Sequence, residues 1–481
     1  MTQTPTTARK HPRRRDRRRP SRSPLAGPRR SRGVHRAWWV AVVAFVALVG
    51  AAAFRATPSV FIEPLHEEFG WSHATISGAV SVNILLYGLT APFASALMER
   101  YGVRLIVSCA LLVIAAGSGL TVFLSASWQL VLCWGVLVGL GTGSMALAFA
   151  ATVTNRWFVH RRGLVTGILT AGSAAGQLVF LPLVALIVEG SGWRTASLLV
   201  SGAALAVVPL VLWLLRDRPE DVGLRPYGAD DAYVTPPRPS GGAARRTLGA
   251  LTAAARTRVF WLLAGTFAVC GASTNGLVGT HFVPAAHDHG MAVPAAASLL
   301  AVIGVFDLVG TVASGWFTDR FDARRLLAVY YALRGVSLLF LPLLFAETVQ
   351  PPMLFFIVFY GLDWVATVPP TIALCREHFG DDGAVVFGWV LASHQAGASL
   401  VAFLAGLTRD LTGSYDLAWI ASGALCAVAA LAALVIQRPS APGPSAPGPS
   451  APGPSAPGPS APGTSVPREA DPRAGRPTPP A

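Results

Sequence analysis

A few charged side chains lie inside long apolar stretches of this sequence, where they could bind or move a charged ligand. Arg55 interrupts the run at 37–62, and Asp307 lies about midway along the run at 295–317. A guanidinium stays charged and can hold a carboxylate through two parallel hydrogen bonds. A carboxyl group removed from water can carry a proton. These two residue types therefore suit the binding of an anion together with a proton.

Other polar side chains occupy similar positions. Asn83, Asn275 and His394 could each contact a substrate, and each could equally be satisfied by a neighbouring helix. For Asp307, the alternative to proton transfer is a fixed structural pair with a nearby arginine, either Arg334 or Arg55. For Arg55, the alternative is a position near enough to the outer surface for the charged head to reach water.

Asp363 lies in the stretch GLDWVATVPPT, which also contains two adjacent prolines. Proline removes a backbone donor and disrupts the helix ahead of it, so the pair predicts a bend in this segment. We interpret Asp363 as part of a contact between helices rather than as part of a binding site.

The elements that must position these residues are membrane-spanning helices. Hydrophobic residues make up 53% of the 481 residues and only 13% are charged, whereas soluble proteins carry about 25% charged residues. Apolar runs of about 20 residues predict transmembrane helices, and their many small residues favour close helix packing. The sequence predicts an all-α membrane protein with twelve spans, at 37–62, 74–97, 103–125, 128–153, 162–187, 195–215, 259–284, 295–317, 325–346, 353–376, 385–406 and 415–436.

Polar segments divide these spans into two groups of six. A polar link at 216–258 separates an N-terminal half at 37–215 from a C-terminal half at 259–437. The remaining segments are a basic tail at 1–36 and a Pro/Gly/Ser-rich tail at 438–481. Their composition predicts disordered segments, because neither tail can build an apolar core.

The two halves are related by a nearly constant offset in sequence, which is 220 residues at first and 221 further along. ALMERYGVR at 96–104 aligns without a gap with WFTDRFDAR at 316–324, so each residue pairs with the one 220 positions later. The same offset pairs Pro64 with Pro284 and Arg55 with Asn275. A duplicated six-span unit around a central site is a known transporter architecture. Asn275 could therefore line the wall opposite Arg55 in one cavity.

The formal net charge of +14 is concentrated at the N-terminus. Residues 1–36 contain 13 Lys and Arg and one acid, which leaves 14 − 12 = +2 for the rest of the chain. Nucleic-acid binding is therefore not expected. Basic residues also gather in the loops on the side of both termini, which predicts that both termini are cytoplasmic in a protein of the inner (plasma) membrane. Neither metal-ligand nor disulfide spacing is seen among the five cysteines, and we expect no metal or cofactor.

The chain resembles the major facilitator superfamily over nearly all of 37–437. The family's loop motif after span two has the form G-x-x-x-D-R-x-G-x-[RK], and each half carries a degenerate copy. The resemblance implies a gating latch that stabilises one of two rocking states, although a solvated basic loop is the alternative. In the first half the motif positions hold Ser95, Glu99, Arg100, Gly102 and Arg104, and in the second half they hold Gly315, Asp319, Arg320, Asp322 (in place of the glycine) and Arg324.

A narrower resemblance is to bacterial members of the monocarboxylate-transporter group. It is carried by stretches such as FIEPLHEEFGWSHATIS, NRWFVHRRGLVTGILTAGSAAG and FGWVLASHQAGA. Animal members of the group carry an acid on span eight followed four residues later by arginine. Asp307 matches that acid, and Thr311 stands in the arginine position. The group's span-one lysine falls within about a residue of Arg55.

Together these features predict a secondary transporter that works by alternating access. Its expected cargo is a small organic anion such as a monocarboxylate, carried with a proton. The runner-up is a proton-antiport exporter of drug-like or secondary-metabolite molecules. A membrane sensor or membrane enzyme is a further alternative, but no phosphate-binding loop or Ser-His-Asp grouping supports an enzyme. We expect contact with the substrate from Arg55, Asn83, Asn275 and His394, and transfer of the proton by Asp307.

The predicted orientation can be tested by chemical labelling. Cysteines introduced within 216–258 should react with a membrane-impermeant reagent only from the cytoplasmic side, because the basic loops hold this side inward. Labelling of the link from outside intact cells would contradict the orientation.

Overall fold

The computed structural model describes residues 34–145, 147–230, 233 and 243–437, and this part of the chain is almost entirely helical. Ten of its helices are long and apolar enough to cross a membrane. The two predicted tails lie almost wholly outside the described residues. The twelve predicted spans all fall within helices of the described residues. The count of long helices is ten because spans five and six form one helix and the apolar part of span one is shorter.

The N-terminal half contains spans one to six. Span one breaks at Thr57, where the helix Arg36–Ala56 ends and the helix Pro58–Phe69 follows. Spans five and six form one long helix that is divided at Gly192, where φ is +80°. Span four passes through a π-helical stretch, Val131–Val138. In chain order the helices are Arg36–Ala56, Pro58–Phe69, His73–Tyr101, Val103–Leu120, Thr121–Phe123, Ser127–Leu130, Val131–Val138, Gly139–Ser144, Leu147–Trp157 and Arg162–Leu214.

The C-terminal half contains spans seven to twelve, and span seven also passes through a π-helical stretch, Ala272–Val278. The link that precedes span seven contains a short helical turn, Glu220–Val222, and an amphipathic helix, Ala243–Ala254. The sequence did not predict this helix. From the link onward the helices are Glu220–Val222, Ala243–Ala254, Arg258–Gly271, Ala272–Val278, Gly279–Asp288, Val293–Thr318, Ala323–Phe340, Leu341–Leu344, Pro351–Asp363, Val368–Phe379, Gly380–Asp382, Gly383–Thr412 and Asp416–Val435.

Because successive spans run in opposite directions, their ends lie on two faces of the bundle. We call one of them the link face; it carries residues 99–104, 216–230 and 319–324. We call the other the far face; it carries residues 63–73, 288–293 and 409–416.

Glycines allow the spans of the bundle to approach closely. A Cβ at Gly310 on span eight would overlap the carbonyl of Leu362 on span ten, and one at Gly271 on span seven would overlap the carbonyl of His394 on span eleven. Larger residues at these positions would force the backbones apart. Such contacts stabilise helix pairs in lipid, where burial of apolar surface does not drive association.

Carboxylates cap the third and ninth spans at the link face, each half in its own way. Gly102 has φ of +89°, and a side chain there would collide with Asp217. The Asp217 carboxylate accepts a hydrogen bond from the backbone N–H of Arg104 at 2.9 Å. In the second half Asp322 takes the position of Gly102, and its own carboxylate accepts from the backbone N–H of Arg324 at 3.0 Å. The departure from the family's glycine thus supplies the same cap from within the motif.

A buried ion pair joins spans nine and ten. The Nε of Arg334 donates to Asp363 Oδ2 at 2.6 Å, and Arg334 is completely buried. Its other nitrogens donate to the carbonyls of Asp363 and Trp364, at the C-terminal end of the helix Pro351–Asp363, and to Cys270 Sγ at 3.0 Å. Arg334 therefore neutralises one carboxylate and caps a broken helix end. This agrees with the interpretation of Asp363 as a contact between helices.

The bend predicted in span ten is confirmed. The chain leaves the helix after Asp363 and re-enters a helix at Val368, with Pro369 and Pro370 in its first turn. Proline is well suited to that position, since the first N–H groups of a helix have no partner within it.

We predict that Asp363→Asn strongly destabilises the protein, because it leaves the Arg334 charge buried without a counter-ion. Breaking such a pair costs about 3–5 kcal/mol, and the loss should appear as a lower Tm in detergent or nanodiscs. Asp319→Asn is the matched control, since Asp319 is exposed at the link face. The double variant Arg334→Met with Asp363→Leu should recover much of the stability. An unchanged Tm for Asp363→Asn would contradict the role of the pair.

Candidate functional site

A cavity of about 440 Å³ lies between the two halves. Most of its wall is apolar, as in typical small-molecule sites. Its apolar residues come from spans one, four, five, seven, ten and eleven, and they are Leu48, Ala51, Ala52, Met145, Ala150, Leu169, Phe267, Trp364, Val365, Val368, Ile372, Phe387 and Leu391.

The cavity extends from the middle of the bundle toward the link face. Asn275 lies at mid-span, whereas Leu169 and Phe387 lie near the link-face ends of spans five and eleven. Toward the far face the halves are in direct contact. Ser81 of span two donates to the carbonyl of Ser399 on span eleven at 2.7 Å. The protein is therefore in a state that is closed on the far side of the cavity.

Several polar groups reach the cavity with their hydrogen-bonding capacity unused. The side chains of Asn275 and Gln395 make no hydrogen bond to any other described residue, and both line the cavity. The hydroxyls of Thr142 and Thr274 donate to helix carbonyls at 2.8 and 2.7 Å, which leaves their oxygens free to accept. These groups can both donate to and accept from a bound molecule.

His394 is the most conspicuous of the cavity side chains that the sequence predicts. It is only 9% exposed, and its Nδ1 has no hydrogen-bond partner in the part of the chain that the structure describes. Its ring packs against Phe267 with 4.9 Å between centroids. His394 lines the cavity, and its unpaired Nδ1 lies beside Gly271 of span seven, so a small rotation of the ring would let this nitrogen meet a ligand.

Asn83 lies in a smaller cavity of about 60 Å³, next to the first and toward the far face. The two cavities share Tyr87, Asn275, Trp364 and Gln395 as lining residues. The amide of Asn83 donates to the carbonyl of Trp134 on span four at 2.7 Å. Asn83 and Asn275 are therefore brought to the same site, but one donor of Asn83 is already engaged in holding two helices together.

Arg55 lies in the last turn of the helix Arg36–Ala56, ahead of the break at Thr57. The structure describes its backbone but not its side chain. Ala51 and Ala52 line the cavity, and residues three and four positions apart share one face of a helix. The position of Arg55 is therefore on the cavity-facing side of span one.

Asp307 lies beside the break in span ten. Its Oδ1 accepts from the backbone N–H of Val365 at 3.0 Å and from the Thr311 hydroxyl at 3.1 Å. Both of these partners line the cavity. Asp307 does not form the pair with Arg334 that the sequence left open, because Arg334 is taken by Asp363. The carboxyl group of Asp307 thus contacts two residues of the cavity wall without lining the cavity itself.

The loop motif lies apart from the cavity at the link face. The side chains of Glu99 and Asp319 are exposed, and neither makes a hydrogen bond or ion pair with another described residue. Arg100 and Arg320 stack on neighbouring aromatic rings, with 3.9 Å from Arg320 to the Trp316 ring centre. The side chain of Ser95 lies outside the described residues. Gly315 has open space around it. The gating latch therefore stays a prediction.

Sequence reasoning missed several residues of the site. Gln395, next to His394, and also Thr274, Tyr87 and Cys270 line the cavity but are not among the residues proposed from the sequence. Small hydroxyl and thiol residues are common in apolar spans, so composition gives no signal for them. In the described ranges no cluster of three His, Cys, Asp or Glu could hold a metal ion.

Comparison with known proteins places this architecture in a family. The family model described as Major Facilitator Superfamily matches residues 43–284 and 268–470. These two matches fit two six-helix halves.

Two relatives cover most of the chain. Monocarboxylate transporter 13 of Rattus norvegicus is 30% identical over 404 residues, which is 80% of this chain and 86% of that protein. An uncharacterized MFS-type transporter, YcxA of Bacillus subtilis (strain 168), is 24% identical over 387 residues, covering 79% of this chain and 90% of that protein.

Solved structures share the fold at low identity. A crystal structure of a D-xylose-proton symporter matches with a TM-score of 0.65 and 15% identity, over 84% of this chain and 99% of that one. An inward open conformation of the xylose transporter XylE from E. coli matches with a TM-score of 0.63 and 14% identity, over 83% and 96%. With two matching family segments, twelve spans and a cavity between the halves, this chain belongs to the major facilitator superfamily, as a multi-pass membrane transporter and not an enzyme.

Proposed function

We propose that this transporter moves a small organic anion of the monocarboxylate type together with a proton. The observation that carries the proposal is the position of Arg55 on the face of span one that lines the cavity, next to Ala51 and Ala52. An anion that leaves water for an apolar cavity needs a fixed positive charge, and arginine supplies one with two parallel donors. The relatives named as monocarboxylate transporters support this substrate class.

The rest of the cavity suits an acid with an apolar body. The carboxylate would meet Arg55, and the amides of Asn275 and Gln395 would donate to its oxygens. The remainder of the molecule would lie against Phe267, Trp364 or Phe387. His394 would accept or donate one further hydrogen bond.

Alternating access follows from the two-half architecture. The far side is closed and the cavity extends toward the link face. If the link face is cytoplasmic, as the basic loops suggest, the structure corresponds to an inward-facing state. Rocking of the two halves would expose the same cavity to the far face.

Export of a drug-like molecule by proton antiport is the second candidate. The aromatic side chains in the cavity wall favour it, because they could hold a large uncharged molecule without any cation. The two candidates differ in what they require of Arg55. Uptake of labelled lactate, pyruvate and other acids into proteoliposomes, with and without a pH gradient, tests them directly.

We predict that Arg55→Gln weakens carboxylate binding by about ten- to a hundredfold, which corresponds to the loss of one charge-assisted hydrogen bond. Arg55→Lys should be milder, since it keeps the charge and loses the paired donors. The affinity is measured from concentration-dependent uptake into proteoliposomes. Arg100→Gln, at the exposed link face, is the control and should leave affinity unchanged. Unchanged affinity in Arg55→Gln would favour the export candidate.

We predict that Asp307→Asn abolishes accumulation driven by a pH gradient while exchange of substrate across the membrane persists. An amide resembles the protonated carboxyl group, so the cycle can run without the proton step. Accumulation and counterflow are measured in the same proteoliposome preparation. Asp416→Asn, on the far face, is the control. Normal accumulation by Asp307→Asn at every pH would exclude Asp307 as the carrier of the proton.

A further inference from the structure

A histidine lies between two carboxylates where the halves meet at the far face. His73 begins the helix His73–Tyr101 and is 5% exposed. Its Nε2 lies 3.1 Å from Glu63 Oε1, and its Nδ1 lies 3.0 Å from Asp410 Oδ1. Glu63 belongs to span one of the same half, whereas Asp410 belongs to span eleven of the other half. The ring therefore bridges the two halves.

Asp410 is ionised in this arrangement because it caps a helix across the interface. Its Oδ1 accepts from the backbone N–H of His73 at 3.0 Å, and its Oδ2 accepts from that of Ala74 at 2.7 Å. These are orphan donors at the N-terminus of span two, where the helix dipole also favours a negative charge. A carboxylate that accepts such bonds is held in its charged form.

The geometry of His73 requires two ring protons. A neutral imidazole has one N–H and one acceptor nitrogen. An ionised carboxylate can only accept, so when Glu63 is ionised as well as Asp410, each of the two ring nitrogens must donate. His73 satisfies both carboxylates only as the positively charged imidazolium.

Neighbouring histidines have a different pattern of partners. His66 Nδ1 lies 2.7 Å from the carbonyl of Trp71, and its ring centre lies 4.4 Å from that of His73. His281 Nε2 lies 2.8 Å from the carbonyl of Ala402. Each of these rings contacts a backbone carbonyl rather than a pair of carboxylates, and the Nδ1 of His281 has no hydrogen-bond partner among the described residues. The other titratable groups that surround the cluster are His287 and Asp288 on span seven, Arg409 on span eleven and Tyr415 ahead of span twelve.

We propose that His73 is a proton-binding site that closes the far face of the transporter. Its ligand is the proton, and Glu63 and Asp410 are the groups that hold it in place. When the proton leaves, the neutral ring can satisfy only one of the two carboxylates, and the contact between the halves weakens. The site is separate from Asp307. The inference rests on the proposed function only for the identity of the compartment that the far face contacts.

The direction of the pH effect follows from linkage. The far-closed state binds the protonated ring between two negative charges, whereas the far-open state separates Asp410 from it. Closure therefore favours proton uptake, and a high proton concentration equally favours closure. The closed state is stabilised at low pH and is lost as the pH rises through the range in which the closed-state histidine releases its proton.

The test is a distance measurement between the two halves at the far face. Spin labels are placed at Ser191→Cys and Thr348→Cys, which are exposed positions between spans five and six and between spans nine and ten. The background carries Cys109→Ser, because Cys109 is exposed. Distances are measured by double electron–electron resonance in nanodiscs without substrate, between about pH 5 and pH 8, where histidine titrates.

The short distance should dominate at low pH, and the ratio of open to closed forms should rise about ten- to a hundredfold across the range, as expected for one charge-assisted hydrogen bond. His73→Gln should remove this dependence. His66→Gln is the matched control, because it removes a neighbouring ring that contacts the carbonyl of Trp71 and does not bridge the two halves, and it should retain the dependence. Glu63→Gln should move the midpoint to lower pH, since one of the two carboxylates is lost.

A pH-independent distance in the unmodified chain would overturn the proposal. So would a response that persists in His73→Gln or that disappears in His66→Gln. If His73→Gln does not fold, the midpoint in Glu63→Gln decides, and an unshifted midpoint counts against the site. The response should also survive in Asp307→Asn. A lost response there would reject His73 as the site, whereas intact closure with no proton-driven uptake of any acid would reject only the proposed function.

Discussion

Inside an apolar bundle there is no water to solvate a charge or a broken helix end, so each of these groups needs a partner from the protein. Span ten shows how this constraint shapes the molecule. Its break exposes carbonyl groups after Asp363 and N–H groups before Val368. Arg334 donates to the carbonyls, and Asp307 accepts from the N–H of Val365. Arg334 and Asp307 therefore stabilise the break in span ten and also fix the position of the cavity wall. Packing of the helices and the shape of the cavity thus depend on the same contacts.

The same constraint acts at the far face, where it joins the two halves. The first N–H groups of span two receive their cap from Asp410, which lies in the other half of the molecule. When the halves rock apart, this helix end must exchange that carboxylate for water. The cost of the exchange depends on whether His73 also holds Asp410. A contact between a helix end and a carboxylate therefore controls the equilibrium between the two states, far from the cavity itself.

The duplicated halves share a fold but not its capping contacts. At the link face, Asp217 caps one helix from the link, whereas Asp322 caps its counterpart from within the motif. At the far face, the offset of 221 residues between the halves relates Glu189 to Asp410. Glu189 is exposed, and span eight begins at Val293 without a side-chain cap. At the far face, Asp410 of span eleven thus caps span two, whereas the corresponding Glu189 of span five does not cap span eight. Only the contact between spans two and eleven is therefore expected to respond to pH.

The sequence by itself determined the twelve spans, their division into halves, the bend in span ten and the family, because hydropathy, proline positions and local motifs are properties of short segments. Asn275 and His394, which the sequence proposes as substrate contacts, both line the cavity between the halves. Only the tertiary structure decided that Arg334 pairs with Asp363 rather than with Asp307, and that Asp410 reaches His73. These partners lie on different helices, 337 residues apart for His73 and Asp410. Which of several acids meets a given base depends on how the helices pack and rotate, and the periodicity of a single span does not encode that.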